Sequence, residues 1–79
     1  MTNVEKYKIT FTEVFEISEE ETMGLKYQGI PAWDSVGHMS LISALEDAFD
    51  IMMDTDDIID FSSFEKGMDI LSKNYGIEF

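Results

Sequence analysis

One serine in the chain occupies a position at which a hydroxyl group can be chemically modified. Ser35 lies within PAWDSVGHM, residues 31–39, directly before a strongly periodic helical pattern. The first turn of a helix presents unpaired backbone N–H groups and the positive end of the helix dipole, which favour a phosphate. Alternatively, Asp34 or Ser35 only caps this helix, because aspartate and serine are both preferred at that position. The segment alone leaves modification and capping open.

The same serine does not fit a hydrolase. An esterase elbow needs glycine two residues before and two residues after the nucleophile, whereas these places hold Trp33 and Gly37. The only histidine, His38, falls on the helical face of Leu41 and Leu45, and a general base would also need an orienting carboxylate. We therefore interpret His38 as a histidine at the rim of the core and not as a general base.

A cluster of four aspartates between positions 54 and 60 raises the question of a metal site. An EF-hand loop that starts at Asp54 would need aspartate or asparagine at position 58 and glycine at position 59, but both positions hold isoleucine. The pattern predicts weak binding of divalent cations to the surface and no dedicated metal site.

The first part of the chain is predicted to form a helix and a long connection. From Thr2 to about Ile17 the apolar residues share one helical face behind a capping box at Thr2-x-x-Glu5, although several also fit the alternation of a strand. Residues 16–34 then contain glycine and proline, with a further turn predicted at Ser18-x-x-Glu21. The apolar anchors predicted for this connection are Met23, Leu25, Tyr27, Ile30 and Trp33.

Three more helices are predicted in the second part. The clearest runs from about Ser35 to Asp50. Asp54 provides the N-cap of a short helix that continues to Phe61, and Ser62-x-x-Glu65 opens the last helix, which stops at Gly76. We therefore expect a single all-α domain over residues 1–79, a small helical bundle of three main helices plus one short helix, with a long first loop.

Composition and charge limit the classes of molecule that the protein is expected to bind. The 79 residues include 17 acidic and 5 basic side chains, a net charge of −12, which disfavours nucleic acid and membrane surfaces and favours basic protein patches. No apolar run could span a bilayer and no export signal is visible, so a cytoplasmic protein is expected. Because the chain has no cysteine, it offers no disulfide, thiolate metal site or cysteine nucleophile.

The outward face of the predicted central helix combines apolar and acidic residues. Its members are Val36, Met39, Ser40, Ser43, Glu46, Asp47 and Asp50. A partner with a basic rim could seat an apolar anchor beside Ser35 and use the carboxylates for orientation. Taken separately, exposed Val36 and Met39 would be ordinary.

The run WDSVGHMSLISALEDAFD, residues 33–50, resembles the acyl carrier proteins. In that family the serine of an Asp-Ser-Leu/Val motif, at the start of the second helix, accepts 4′-phosphopantetheine from coenzyme A. The resemblance extends over nearly the whole chain, in the order of predicted helices, the length and the acidity. It implies a protein that is not itself an enzyme and that carries acyl intermediates as thioesters for lipid or specialised acyl-chain biosynthesis.

The resemblance also implies roles for individual residues. Ser35 matches the attachment site and Asp34 the acidic neighbour read by the phosphopantetheinyl transferase. The residues that match the face for docking on partner enzymes are Val36, Met39, Glu46 and Asp47. The implied partners are the transferase and acyl-loading and acyl-transferring enzymes with basic docking patches, and the implied state is a monomer. A short chain could be sheltered along Leu41, Leu45, Ile58, Ile59 and Leu71.

The sequence departs from housekeeping fatty-acid carriers, in which acidic residues occupy the places of Gly37 and Ser40. Trp33, Gly37 and His38 are more similar to freestanding carriers of specialised pathways. Two alternatives stay open: a peptidyl or aminoacyl carrier, and an acidic adaptor that binds a basic partner without a prosthetic group.

Overall fold

Four α-helices and one 3₁₀ turn make up the computed structural model, which describes residues 1–79. The elements are α1 (Asn3–Phe15), a 3₁₀ turn (Glu20–Thr22), α2 (Ser35–Phe49), α3 (Thr55–Asp60) and α4 (Phe64–Tyr75). The chain forms no β-strand. The predicted all-α bundle of three main helices plus one short helix is therefore confirmed, and the strand interpretation of the first segment is wrong.

Helix α1 begins at the predicted capping box and ends before the predicted boundary. Thr2 Oγ1 accepts a hydrogen bond from the Glu5 N–H at 3.2 Å, and the Glu5 carboxylate accepts from the Thr2 N–H and hydroxyl. These bonds, the one from the Thr2 backbone above all, lower the pKa of the Glu5 carboxyl. The helix stops at Phe15 rather than near Ile17, because Glu16 adopts a left-handed conformation with φ of 55°.

Backbone hydrogen bonds hold the long first loop against the connection between α3 and α4. The Tyr27 N–H donates to the Ser62 carbonyl at 2.9 Å, and the Phe64 N–H donates to the Leu25 carbonyl at 2.8 Å. These two bonds flank the isolated bridge between residues 26 and 63. The loop is thereby fixed at the end of the bundle where α4 begins.

Side chains of the same loop add a second attachment. Trp33 is fully buried and Leu25 nearly so, as predicted for anchors, and the Trp33 ring lies 5.4 Å from the ring of Phe15. Met23 is 77% exposed, so its predicted anchoring role is wrong. The predicted further turn is present, with the Ser18 N–H and hydroxyl both donating to the Glu21 carboxylate.

The N-cap of helix α4 lies one residue later than predicted. Ser63 is the N-cap residue, and its Oγ accepts a hydrogen bond from the Lys66 N–H at 2.9 Å. The assignment of the cap to Ser62 is therefore wrong. The predicted stop at Gly76 is confirmed: Gly76 adopts φ of 70°, a left-handed conformation that costs glycine little.

An aromatic cluster at the centre of the bundle joins α1, the first loop, the connection between α3 and α4, and the start of α4. Its buried members are Tyr7, Phe11, Phe15, Trp33, Phe61 and Phe64. The Tyr7 hydroxyl donates to the Phe64 carbonyl at 2.7 Å, which satisfies the one polar atom this ring brings into the core. Gly67 lets α4 approach closely, because a Cβ there would collide with the Phe61 ring and the Tyr7 hydroxyl.

Candidate functional site

Asp34, and not Ser35, caps helix α2. The Asp34 carboxylate accepts a hydrogen bond from the Gly37 N–H at 2.8 Å, and the Asp34 carbonyl accepts from the His38 N–H at 2.8 Å. A helix cannot satisfy its own first N–H groups, so those of Ser35 and Val36 point out of the helix end without an intrahelical partner. The Ser35 side chain is exposed and takes no part in the cap. Of the two capping candidates, the structure selects Asp34.

The first loop crosses directly over the first turn of α2 at Gly37. A Cβ built on Gly37 would collide with the Ala32 carbonyl oxygen and would contact the Phe15 ring at 3.3 Å. No larger residue fits at position 37 while the loop keeps this path. This contact gives a physical reason for glycine at position 37.

A mostly apolar groove opens beside Ser35, between α2, α3 and the first loop. Its volume is about 380 Å³. The residues that line this Ser35 groove are Tyr27, Ser35, His38, Met39, Ile58, Ile59, Phe61 and Ser62. Of the five residues predicted to shelter a chain, only Ile58 and Ile59 line it. Leu41, Leu45 and Leu71 are fully buried in the core and do not line this groove, so their part in a shelter stays a prediction.

The outer surface of α2 carries most of the predicted docking residues. We call it the α2 face, and it consists of Ser35, Val36, Met39, Ser40, Ser43, Ala44 and Asp47. Val36 is 74% exposed and Met39 54% exposed, and Asp47 is exposed. The structure therefore brings these three predicted residues together with Ser35 on one continuous surface.

Glu46 does not belong to that surface. Its side chain is half-buried, and its Oε2 accepts a hydrogen bond from the Met53 N–H at 2.9 Å, in the connection between α2 and α3. The prediction that Glu46 points outward with Asp47 is wrong, because its carboxylate satisfies a backbone donor of the next connection. The contact joins residues seven positions apart across a turn, which helical periodicity does not reveal.

The stretch of chain that contains Ser35 carries acidic side chains and no basic ones. No lysine or arginine occurs between Lys26 and Lys66, a stretch that includes all of α2 and α3. The single ion pair of the protein joins Lys73 to Asp69 on α4, at 3.1 Å. Exposed carboxylates without basic neighbours attract partners with positive surfaces and speed their association.

The acidic cluster at α3 is bonded to α4. The Asp57 carboxylate accepts hydrogen bonds from the Asn74 side-chain amide and the Tyr75 hydroxyl, and the Tyr75 hydroxyl accepts from the Asp54 N–H at 2.7 Å. Burial, and then the bond to Asp57, raises the pKa of Tyr75 above its usual range. No group of three or more histidine, aspartate or glutamate side chains is placed to hold a metal ion.

His38 has the structural role predicted for it. Its Nδ1 accepts a hydrogen bond from Trp33 Nε1–H at 2.9 Å, and its Nε2 lies 2.8 Å from the Ile58 carbonyl oxygen. Both ring nitrogens are therefore engaged, and neither is free to act as a general base on Ser35. The sequence pattern placed His38 at the rim of the core but contained no signal for either partner.

Sequence reasoning missed three residues of the Ser35 groove, namely Tyr27, Phe61 and Ser62. All three lie outside the helices, in the first loop and in the connection between α3 and α4. Tyr27 and Ser62 reach the groove because their backbones are hydrogen-bonded to each other. No periodic pattern marks such a contact.

Comparison of the chain with models of known protein families, with curated proteins and with solved structures finds no match. None of the helices combines the length and the apolar character that crossing a membrane would require.

Proposed function

We propose that this chain is an acyl carrier protein whose Ser35 is modified with 4′-phosphopantetheine from coenzyme A by a phosphopantetheinyl transferase. The observation that carries the proposal is the exposed Ser35 hydroxyl at the start of α2, where Asp34 supplies the cap in its place. A serine at such a position that contributes nothing to the cap is free for modification. The resemblance of residues 33–50 to the acyl carrier proteins supports the same assignment.

The local structure suits a phosphodiester on Ser35 Oγ. The oxygen would form a bond to phosphorus and lose its proton, and the adenosine half of coenzyme A would leave with the other phosphate of the broken pyrophosphate. The N–H groups of Ser35 and Val36 and the positive end of the α2 dipole favour a negative charge at this position. The bound group supplies a terminal thiol that holds acyl groups as thioesters, which a chain without cysteine lacks.

The α2 face is the proposed docking surface for the transferase and for the acyl-loading and acyl-transferring enzymes. Val36 and Met39 offer apolar anchors next to the attachment point, and Asp47 offers a charge for a basic rim. The chain itself performs no bond chemistry on the cargo in this proposal. We further propose that it works as a monomer in the cytoplasm.

The Ser35 groove is the proposed resting place for a short acyl chain. It opens next to the attachment oxygen, and Ile58, Ile59 and Met39 make it mostly apolar. The closed packing of Leu41, Leu45 and Leu71 leaves no continuation into the core. Methyl signals of Ile58 and Ile59 should therefore shift when an acyl chain is loaded, whereas those of the buried leucines should not.

The proposal is tested by the intact mass of the protein after incubation with coenzyme A and a broad-specificity phosphopantetheinyl transferase. The wild-type chain is expected to gain the mass of a single phosphopantetheine. Ser35→Ala should gain nothing, and Ser40→Ala, which removes a neighbouring hydroxyl of the α2 face, should be modified like the wild type. A folded wild-type chain that gains no mass would favour the unmodified acidic adaptor. A peptidyl or aminoacyl carrier differs only in which activating enzyme loads it.

A further inference from the structure

The two hydrogen bonds of His38 define the protonation state of its ring. Indole Nε1–H can only donate, so His38 Nδ1, at 2.9 Å from it, must be the acceptor. The Ile58 carbonyl can only accept, so His38 Nε2, at 2.8 Å, must carry the proton. The folded structure therefore holds a neutral imidazole in its Nε2–H form.

These bonds connect three parts of the wall of the Ser35 groove. His38 lies on α2, Trp33 in the first loop, and Ile58 on α3. Ile58 belongs to the last turn of α3, where backbone carbonyls have no partner within the helix, so the His38 N–H satisfies one of them. The short α3 contributes no fully buried residue, and its other polar attachments lead to the end of α4.

The loop side of the same connection depends on Trp33. Its ring is fully buried and lies nearly in the plane of the imidazole, at 14° with centroids 6.1 Å apart, and its N–H has His38 as its partner. Tyr27, which lines the groove, contacts both the Trp33 and the His38 rings edge-on. When a buried indole N–H loses its acceptor, the folded arrangement around it is destabilised, because water cannot replace the lost hydrogen bond.

We propose that His38 is a proton-sensitive latch that joins the first loop to α3 and holds the two walls of the Ser35 groove in the arrangement described above. Protonation at Nδ1 would place an N–H against the Trp33 N–H. The bond to Ile58 survives protonation, and the positive ring is favourable at the C-terminal end of α3. Acid therefore releases the Trp33 and Tyr27 side of the groove and leaves the α3 side attached.

Few other charged or titratable groups face the imidazole. Tyr27 is the titratable side chain in ring contact with it from the loop. On the α2 side the nearest charge in sequence is Asp34, whose carboxylate is bonded to the Gly37 N–H. On α3, the Asp57 carboxylate is bonded to Asn74 and Tyr75, and Asp60 is exposed. The Trp33 bond is thus the contact that a proton on Nδ1 disrupts directly.

The latch can be tested in the unmodified protein by NMR, because the chain contains a single histidine and a single tryptophan. Nitrogen-15 shifts of the imidazole report which ring nitrogen carries the proton. The indole N–H signal of Trp33 is then followed while the pH is varied between about 5 and 8, the range in which histidine side chains commonly change charge. We expect the Nε2–H form at the alkaline end, and a loss of indole N–H protection against exchange with the same midpoint as the ring.

The control is His38→Gln, which cannot titrate. Its indole signal should not change over this pH range. The latch is refuted by an Nδ1–H ring, by a ring that stays neutral down to about pH 5, by an indole signal that stays unchanged while the imidazole gains a proton, or by an equal pH response in His38→Gln. The wild-type measurements alone decide the matter if the variant does not fold. The latch does not depend on the proposed function, which the intact-mass experiment tests separately.

Discussion

Alanine substitution at Asp34 and at Ser35 separates the cap of α2 from the chemistry of the site. Asp34→Ala removes the 2.8 Å bond to the Gly37 N–H, and loss of such a cap destabilises a protein by about 1 kcal/mol, within a range of roughly 0.5–2 kcal/mol. Ser35→Ala removes an exposed hydroxyl that takes no part in the cap, so the change should stay within about 0.5 kcal/mol. For a domain of this size, 1 kcal/mol lowers the melting temperature by roughly 4–8 °C.

The assay is urea and thermal unfolding followed by circular dichroism. The chain contains an internal standard, because Ser63 caps α4 through the Lys66 N–H whereas its neighbour Ser62 does not cap it. Ser63→Ala should lose about as much stability as Asp34→Ala. Ser62→Ala should behave like Ser35→Ala. If Ser35→Ala is as destabilising as Asp34→Ala, the assignment of the cap to Asp34 alone is wrong, and the argument that the Ser35 hydroxyl is free for modification fails.

Three further predictions concern the core and the surface charge. Gly67→Ala should destabilise the protein by about 1–3 kcal/mol in urea unfolding, because the added methyl group would collide with the Phe61 ring and the Tyr7 hydroxyl. An unchanged unfolding midpoint would contradict this packing. Burial raises the pKa of Tyr7 well above its usual value of about 10. Above about pH 10 this tyrosine ionises in the unfolded chain but not in the folded one, so the free energy of unfolding should keep its full value below that pH and fall above it. Tyr7→Phe should show a weaker loss. Added salt or millimolar magnesium should raise the melting temperature, because the acidic side chains, with a net charge of −12 and a single ion pair, repel one another. A melting temperature that changes with neither addition would show that the carboxylates are too far apart to affect stability.

Features with a local cause could be predicted from the sequence. The capping box at Thr2 and Glu5 needs only residues three positions apart, and Gly76 ends α4 because glycine readily adopts a left-handed conformation. The apolar periodicity of α2 placed its start at Ser35 correctly. These signals were enough to predict the number and order of the helices.

Features that depend on tertiary contact could not be predicted. Ser62 and Ser63 are equivalent as capping residues, and the choice follows from the pairing of the first loop with the connection before α4. Glu46 was assigned to the exposed face because periodicity does not show that the chain turns back and offers the Met53 N–H. Gly37 likewise needs the Ala32 carbonyl above it before its lack of a side chain has a reason.

The central claim is that modification of Ser35 with 4′-phosphopantetheine supplies a thiol to a chain that has no cysteine. The protein is incubated with coenzyme A and a phosphopantetheinyl transferase, small molecules are removed, and the remaining thiols are counted with a thiol reagent. Because the chain has no cysteine, its own side chains contribute no thiol to this count. The account predicts a single reactive thiol per wild-type chain and none in Ser35→Ala. A folded wild-type chain with no thiol, or a thiol that persists in Ser35→Ala, would contradict it.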